Sequence, residues 1–295
     1  MYQHKPINSK MYHEVGKLLR SFFESKGFIE VATQPRLSIL SACEDPSTIA
    51  TFQYSGKVWP LKQTGQMDLE YELLTNDDYP GVFCFSTSYR QEANPIPGRH
   101  DLIFPMFEFE GRGDMTQLIS LETELLKYLG FPTTRTPNPV FQHHAESVEE
   151  NGYIKVNYAD LAKTWGVHEI TAAEEERIWN EIAPVVFLMN FPEYTSPFWN
   201  MKRNGDGSTA KKADIILYGI ETIGSAEREV NPNVMLNRFH SISDGKYSEL
   251  LYAQFGRARV MRELGEFLDL DMVPRYGAGI GMTRMIRAYN LMKKG

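Results

Sequence analysis

The stretch SYRQEANPIPGRHDLIFPMFEFE, residues 88–110, decides the fold of this chain because it contains the connection between two long strands. Residues 81–92 and 102–110 are rich in aromatic, β-branched and other apolar side chains, a composition typical of strands. The segment ANPIPGRHD between them has two prolines and a glycine, which indicates a long loop. We therefore predict two strands of an antiparallel sheet.

Alternation along the second strand divides its side chains between two faces, since successive residues of a strand point to opposite sides of the sheet. The apolar face consists of Ile103, Phe107 and Phe109. The opposite face consists of Phe104, Met106, Glu108 and Glu110. On the first strand, Arg90 and Glu92 share one face. The polar face either lines a cavity or is solvated, and the pattern taken alone favours a solvated face.

Helical spacing of apolar residues marks residues 9–26, 115–129 and 248–268. Residues 145–187 are predicted to be a mainly helical insertion. Helices that flank an antiparallel sheet make this an α+β fold. No internal repeat or low-complexity linker interrupts the chain, so we expect a single domain over residues 1–295.

Composition excludes several classes of protein. The chain has 295 residues, is 42% hydrophobic and carries a net charge of −7, with its lysines and arginines scattered, which argues against a broad nucleic-acid-binding surface. No apolar run approaches the roughly 18–20 residues of a membrane span. The N-terminal MYQHKPINSKMYHE lacks the apolar region of a signal peptide. Two cysteines are too few for a disulfide framework, so we expect a cytoplasmic protein with no membrane contact.

The glycine-rich stretch RYGAGIGMTRM, residues 275–285, suggests close approach of the backbone to a nucleotide. A dinucleotide-binding fingerprint would require a strand before the glycines and a helix followed by another strand after them. Only residues 286–295 follow, enough for one short helix. The stretch therefore predicts a nucleotide-binding segment that is not a dinucleotide-binding fingerprint.

Four segments together resemble the catalytic domain of class II aminoacyl-tRNA synthetases of the Asp/Asn/Lys subgroup. They are residues 88–110, the glycine-rich segment 275–284, DIILYGIETIGSAERE at 214–229 and TGQMDLE at 64–70. IETIGSAERE is similar to GEIIGGSQRE of asparaginyl-tRNA synthetases, and FPMFEFE is similar to their FWMVEPE. VATQPRL, residues 31–37, resembles the first motif of the family, whose proline (here Pro35) lies at a dimer interface. The resemblance thus implies a homodimer.

The resemblance also implies a reaction, in which the carboxylate of an amino acid attacks the α-phosphorus of ATP and pyrophosphate leaves. Arg90 and Arg284 match the catalytic arginines. The implied ATP site consists of Arg90, Glu92, Arg99, His100, Phe104, Met106, Glu221, Gly279, Gly281 and Arg284. The implied amino-acid site consists of Glu44, Thr64, Gln66, Glu108 and Arg228. Asp214 and Glu221 match the Mg²⁺ ligands of the family, so ATP and Mg²⁺ are the expected ligands.

The sequence departs from the family pattern at three places. Leu69 stands where aspartate-activating members carry a lysine, three residues after Gln66. Thr283 replaces the glutamate that usually precedes the last arginine. Only 34 residues precede Pro35, so we expect no anticodon-binding β-barrel of the kind that the family carries before this motif.

Three functions remain open at this point. The short segment before Pro35 and the acidic balance favour a stand-alone asparagine synthetase-like enzyme that activates Asp, Asn or a close analogue, whereas Leu69 argues against a direct transfer of that activity. The alternative is aminoacyl transfer to tRNA or another acceptor, with tRNA possible but not favoured. A catalytically silent paralogue that binds a partner or senses a ligand is the third possibility.

Overall fold

The structure is a computed structural model of the chain. It describes residues 6–33, 36–41, 45–96, 99, 101–133, 145–146 and 152–294. Pro35, Glu44 and His100, to which the resemblance assigns functions, lie outside the described residues. Within the described ranges, no helix is both long enough and apolar enough to cross a membrane.

Strands and helices alternate irregularly along the described ranges. The strands are β1 (Ile29–Glu30), β2 (Thr51–Tyr54), β3 (Lys57–Pro60), β4 (Gly81–Tyr89), β5 (Ile103–Arg112), β6 (Ala145–Glu146), β7 (Ile154–Asn157), β8 (Val185–Pro192), β9 (Thr209–Leu217), β10 (Ile220–Glu227) and β11 (Arg275–Gly281). The helices are α1 (Ser9–Ser25), α2 (Gln66–Leu74), α3 (Met115–Leu129), α4 (Tyr158–Trp165), α5 (Ala172–Glu181), α6 (Pro232–Ser241), α7 (Lys246–Phe255), α8 (Arg257–Leu268) and α9 (Met282–Met292).

One nine-stranded sheet organises the molecule, with the strand order β1-β4-β5-β11-β10-β9-β8-β7-β6. Its pairs are antiparallel except for β1 with β4 and β7 with β8, which are parallel. The hairpin of β2 and β3 forms a separate small sheet. The predicted α+β fold, an antiparallel sheet flanked by helices, is confirmed.

The apolar face of β5 forms the floor of the main core. Phe107 and Phe109 are fully buried and lie against Phe23 of α1, with ring centroids 5.0 and 4.6 Å away. Helices α1, α3 and α9 cover this face of the sheet. Because one face is sealed in this way, the polar side chains that alternate with these phenylalanines all turn to the opposite face.

A second apolar cluster lies on the far side of α2 and joins it to α6, α7 and α8. Trp199, Met235 and Phe239 are fully buried at its centre. The Trp199 and Phe239 rings meet edge to face at 5.6 Å. This cluster supports the segments that surround the polar face of the sheet.

The segment 145–187 is not mainly helical, contrary to the sequence prediction. It contains α4 and α5, but it also contributes β6, β7 and the start of β8, which extend the main sheet. The C-terminal part of the segment, which the apolar pattern assigned to a helix, includes Val185 and Val186, and both are fully buried strand residues. A short apolar run bounded by turns fits a buried strand as well as a helix, and here sheet pairing decides between them.

The predicted single helix over residues 248–268 is two helices. Helix α7 ends at Phe255 and α8 begins at Arg257. Gly256 between them has a φ of 83°, a left-handed conformation that a continuing helix does not allow. The chain can therefore turn at this glycine and fold both helices onto the second cluster.

Candidate active site

A cavity of about 390 Å³ lies on the polar face of the sheet; we call it the central cavity. It is lined by β5, β10 and β11, the segment after β4, and the N-termini of α2 and α9. Among the described site residues predicted from the sequence, those that line it are Thr64, Gln66, Arg90, Glu92, Arg99, Phe104, Met106, Glu108, Glu221, Arg228, Gly279, Gly281 and Arg284. The polar face of β5 therefore lines a cavity and is not simply solvated.

Arg90 lies where β4 passes into the loop. Its backbone N–H donates to the carbonyl of Leu102 at 2.8 Å, which extends the β4–β5 pairing by one residue. The Arg90 guanidinium carbon lies 5.5 Å from the centre of the Phe104 ring. Strand pairing thus sets a cation and an aromatic ring side by side at the mouth of the cavity.

Gly277 lies against a buried carboxylate of the neighbouring strand. It pairs directly with Glu110 across β11 and β5, and a Cβ atom at Gly277 would lie 2.0 Å from Glu110 Oε1. At Gly279 a Cβ atom would lie 2.9 Å from the end of Met106. Gly277 therefore makes room for a buried carboxylate, whereas Gly279 and Gly281 line the central cavity.

Arg284 and Glu221 meet at the open end of the central cavity. Arg284 Nη1 donates to the Glu221 carbonyl at 2.8 Å and lies 3.7 Å from its carboxylate. Glu175 of α5 approaches from behind, where its carboxylate accepts from the Glu221 backbone N–H at 2.6 Å and from the Arg99 guanidinium. Burial raises the pKa of Glu175, as does the nearby Glu221 carboxylate, while Arg99 lowers it.

The two carboxylates predicted to hold Mg²⁺ converge above Gly224. A Cβ atom at Gly224 would lie 2.9 Å from Glu221 Oε1 and 3.6 Å from Asp214 Oδ1. Asp214 does not line the central cavity, but Gly224 does, so the pair lies at its edge. Asp214 Oδ2 accepts from Lys212 Nζ at 2.7 Å, whereas the buried Oδ1 has no hydrogen-bond partner among the described residues.

The environment of Asp214 fits a divalent cation. Burial raises the pKa of Asp214 to about 7, and the Glu221 carboxylate adds to the rise while Lys212 opposes it. A buried carboxylate oxygen without a donor, next to a second carboxylate, is a fit for Mg²⁺. In the described part of the chain, no group of three His, Cys, Asp or Glu side chains could hold a metal ion. Phosphate and water oxygens would therefore have to complete the coordination.

Glu108 is buried at the inner end of the cavity, where donors surround it. It accepts from the Thr64 hydroxyl, from the Ser86 hydroxyl and from the Gly65 backbone N–H at 2.8 Å. Gln66, next to this group, donates its amide to Glu70 at 2.8 Å.

A buried network of charges lies behind this inner end. Arg228 Nη2 lies 2.5 Å from Glu110 Oε1, and Arg275 Nη2 lies 2.7 Å from Glu70 Oε2. Arg228 Nε also lies 3.8 Å from Glu70, which links the two pairs. Burial raises the pKa of Glu110 to about 7, although Arg228 lowers it. Burial also opposes ionisation of Glu70, but Arg275 and Arg228 outweigh it and lower its pKa.

Sequence reasoning missed Glu70, Arg275, Lys212 and Glu175. Glu70 follows Leu69 on α2, and Arg275 opens the glycine-rich stretch, so both lay within segments already singled out. For Arg275 the signal is a charged residue in an otherwise apolar, glycine-rich strand, because such a charge must be paired when buried. Glu70 stands between Asp68 and Glu72 on α2 and carries no such signal. Glu175 had no such signal, since it stands among other acidic residues of α5.

The relatives found among known proteins are tRNA ligases for asparagine and aspartate. The chain is 23% identical to an asparagine--tRNA ligase of Cytophaga hutchinsonii over 94% of the chain and 66% of the ligase. It is 21% identical to an aspartate--tRNA(Asp/Asn) ligase of Aeropyrum pernix over 92% of the chain and 62% of that protein. The chain thus spans a little under two thirds of the length of these relatives.

Solved structures agree on the fold. The asparaginyl-tRNA synthetase of Pyrococcus horikoshii, complexed with asparaginyl-adenylate, superposes with a TM-score of 0.74 at 20% identity, over 96% of this chain and 65% of that one. A putative aspartyl-tRNA synthetase of Leishmania major gives a TM-score of 0.71 at 17% identity, over 95% and 61%. The family model described as tRNA synthetases class II (D, K and N) matches residues 5–292. Because the family model matches nearly the whole chain and the motifs agree with it, the chain belongs to the class II tRNA synthetases of the D, K and N group.

Proposed function

We propose that this protein forms an aminoacyl-adenylate from ATP and an amino acid of the asparagine and aspartate class, and then transfers the aminoacyl group to a tRNA. The observation that carries the proposal is the convergence of Arg90, Phe104 and Arg284 with the buried acidic end on one cavity. The arginines and the aromatic ring at the open end of the cavity suit a nucleoside triphosphate. The small polar space at the inner end of the cavity suits an amino acid.

The activation step needs positioning and charge neutralisation, but no base, because an amino-acid carboxylate is already ionised at neutral pH. A carboxylate oxygen bonds to the α-phosphorus, and the bond from that phosphorus to the bridging oxygen breaks as pyrophosphate leaves with the electron pair. Arg90 would orient the carboxylate and the α-phosphate, and Arg284 would hold the terminal phosphate. In transfer, a ribose hydroxyl attacks the acyl carbon, AMP leaves, and the hydroxyl proton passes to solvent.

Asp214 and Glu221 would hold Mg²⁺, which when bound supplies positive charge to phosphate oxygens. Two observations support this magnesium site. Asp214 Oδ1 has no donor among the described residues, and both carboxylates converge over Gly224. Lys212 binds the other Asp214 oxygen at 2.7 Å, so it orients the carboxylate and partly offsets its charge.

The charges at the inner end favour a neutral substrate side chain. Glu70, Glu108 and Glu110 face Arg228 and Arg275, and all five are buried. Because the pKa of Glu110 is about 7, this carboxyl is partly ionised at neutral pH, so the two arginines are already balanced by the carboxylates around them. An aspartate side chain would bring a further negative charge into this low-dielectric region, whereas the carboxamide of asparagine brings none. We therefore assign asparagine as the preferred amino acid.

Leu69 supports the same choice. It lines the central cavity and is fully buried, so this position offers a free carboxylate no positive charge. The Gln66 amide nitrogen donates to Glu70 and Asn200, which leaves its carbonyl oxygen to accept from the N–H groups of a carboxamide.

The relatives named above are aminoacyl-tRNA ligases, and this supports tRNA as the acceptor. The stand-alone asparagine synthetase-like activity that the sequence favoured has no such support. A silent paralogue is also disfavoured, because the cavity retains Arg90, Glu221 and Arg284. The homodimer expected from the first motif belongs to the same proposal.

Amino-acid-dependent exchange between ATP and pyrophosphate, measured with all standard amino acids, tests the activation step. We expect exchange with asparagine, weaker exchange with aspartate, and loss of exchange in Arg90→Met. Arg262→Met is the matched control, since that arginine is 60% exposed on α8 and should leave exchange unchanged. Absence of exchange with every amino acid would refute the activation proposal.

Charging of bulk tRNA with radiolabelled asparagine tests the acceptor separately. Acid-stable counts in the RNA fraction, sensitive to mild alkali, are the expected result. Exchange without charging, together with ammonia- or amine-dependent consumption of the adenylate, would overturn the tRNA part and leave activation intact.

A further inference from the structure

Four residues at the open end of the central cavity are joined in a closed ring of hydrogen bonds. The ring consists of Arg99 in the loop before β5, Glu175 of α5, Glu221 of β10 and Arg284 of α9. Glu175 accepts from the Arg99 guanidinium and from the Glu221 N–H at 2.6 Å. Arg284 completes the ring by donating to the carbonyl of Glu221 at 2.8 Å and to that of Arg99 at 3.5 Å.

Glu175 differs from the other members of the ring. Arg99, Glu221 and Arg284 line the central cavity, whereas Glu175 lies behind them and does not. Its side chain is only 13% exposed, and that of Arg99 is 15% exposed. Glu175 can therefore affect a bound nucleotide only through the residues that it holds.

Helix α5 does not need the Glu175 carboxylate for its own formation. Thr171 and Glu174 form a capping box at its start, and the fully buried Ile178 anchors it to the core. Arg177 and Glu181 pair along its surface. The Glu175 side chain instead bonds outward, to a loop and to a strand of the site.

We propose that Glu175 is a positioning residue, which holds Arg99 against the β10 backbone so that its guanidinium meets the outer phosphates of ATP. This inference rests on the proposed function. A long arginine side chain loses rotamer freedom when it binds a phosphate, and a fixed carboxylate partner removes that loss beforehand. The guanidinium carries five N–H donors, so an arginine bound to Glu175 keeps donors for phosphate oxygens.

Binding measurements on Glu175→Gln test the proposal. Gln keeps the size and an acceptor for the Glu221 N–H but loses the charge that holds Arg99. Calorimetric titration should show Mg·ATP binding weakened about tenfold, the scale of one charge-assisted hydrogen bond. Adenosine, which has no phosphate, should bind as it does to wild type. Glu176→Gln, a change at the exposed neighbour on the same helix, is the matched control and should leave both affinities unchanged.

A double-mutant cycle separates positioning from a general structural role. If Glu175 acts through Arg99, Glu175→Gln should have no further effect on Mg·ATP binding once Arg99 is replaced by Met. Additive effects, an equal loss of adenosine binding, unchanged ATP binding or tighter ATP binding would each overturn the inference. If Glu175→Gln does not fold, Glu175→Asp withdraws the carboxylate from Arg99 and carries the same expectations.

The two proposals fail differently. If the wild-type protein binds Mg·ATP and supports exchange while Glu175→Gln binds it equally well, only the positioning role is wrong. If wild type binds no Mg·ATP, both the proposed function and this inference are overturned.

Discussion

The replacement of Gly277 by alanine isolates the buried network from the rest of the cavity floor. The new methyl group would lie 2.0 Å from Glu110 Oε1, far inside contact distance. Gly277 is not among the residues with a positive φ, so alanine causes no backbone strain there and the steric conflict alone decides the outcome. Usually the end of a glutamate side chain can move aside. This one is held by Arg228 at 2.5 Å and is buried, so moving it separates a buried ion pair.

The size of the effect follows from that separation. Breaking a buried pair and leaving its partner uncompensated costs about 3–5 kcal/mol, and overpacking alone costs about 1–3 kcal/mol. The two overlap here, because the displaced carboxylate is also the overpacked group. We therefore expect Gly277→Ala to lower the free energy of unfolding by about 3–5 kcal/mol.

Urea denaturation at pH 8, followed by fluorescence of the tryptophans, measures this change. Gly265→Ala is the matched control, since a Cβ atom at that helical position meets nothing within 4 Å. It should stabilise by up to about 1 kcal/mol, the difference in helix propensity. If Gly277→Ala is within about 0.5 kcal/mol of wild type, Glu110 is not held as described and the role given to Gly277 is wrong.

Three further predictions concern buried charges. Arg275→Met should destabilise the protein by about 3–5 kcal/mol in the same assay, because fully buried Glu70 loses its nearer cationic partner and keeps only Arg228 at 3.8 Å; Arg262→Met should change stability by less than about 0.5 kcal/mol. Burial raises the pKa of Glu122 from 4.5 to about 8, so the native state binds the carboxyl proton more tightly than the unfolded state does. The free energy of unfolding is therefore highest below pH 4.5 and falls as the pH rises through 8. Glu122→Gln should therefore remove a loss of roughly 5 kcal/mol between those pH values, and an unchanged pH profile of unfolding would contradict this. Asp214→Asn should raise the Mg²⁺ concentration for half-maximal exchange about tenfold or more, and an unchanged Mg²⁺ titration would exclude the metal role.

Local patterns predicted much of the fold. Residues 115–129 form α3 with the expected bounds, because Asp114 and Gln117 cap its start and Gly130 ends it in a left-handed conformation with φ 90°. The alternation of β5 correctly separated Phe107 and Phe109 from the polar face, since strand parity depends only on neighbouring residues. Several segments far apart in the chain line one cavity. In the sequence, only their joint resemblance to a family linked these segments.

Other features depend on partners that local sequence does not reveal. Arg275 pairs with Glu70, 205 positions earlier, and nothing near either residue announces the contact. Glu175 joins Arg99 only because α5 packs beside β10 and β9. Gly256 breaks a helical pattern that tolerates an isolated glycine, and the run at Val185 suits a helix or a strand equally until the sheet forms.

The adenylate itself provides the most direct test of the central claim, that the cavity activates an amino acid with a neutral side chain. The protein would be mixed with Mg·ATP, asparagine and aspartate in equal amounts, with pyrophosphatase present, and the bound product identified by mass spectrometry. Our account predicts asparaginyl-adenylate as the main species and its loss in Arg90→Met. A predominance of aspartyl-adenylate would contradict the charge argument, and the absence of any adenylate would contradict the claim as a whole.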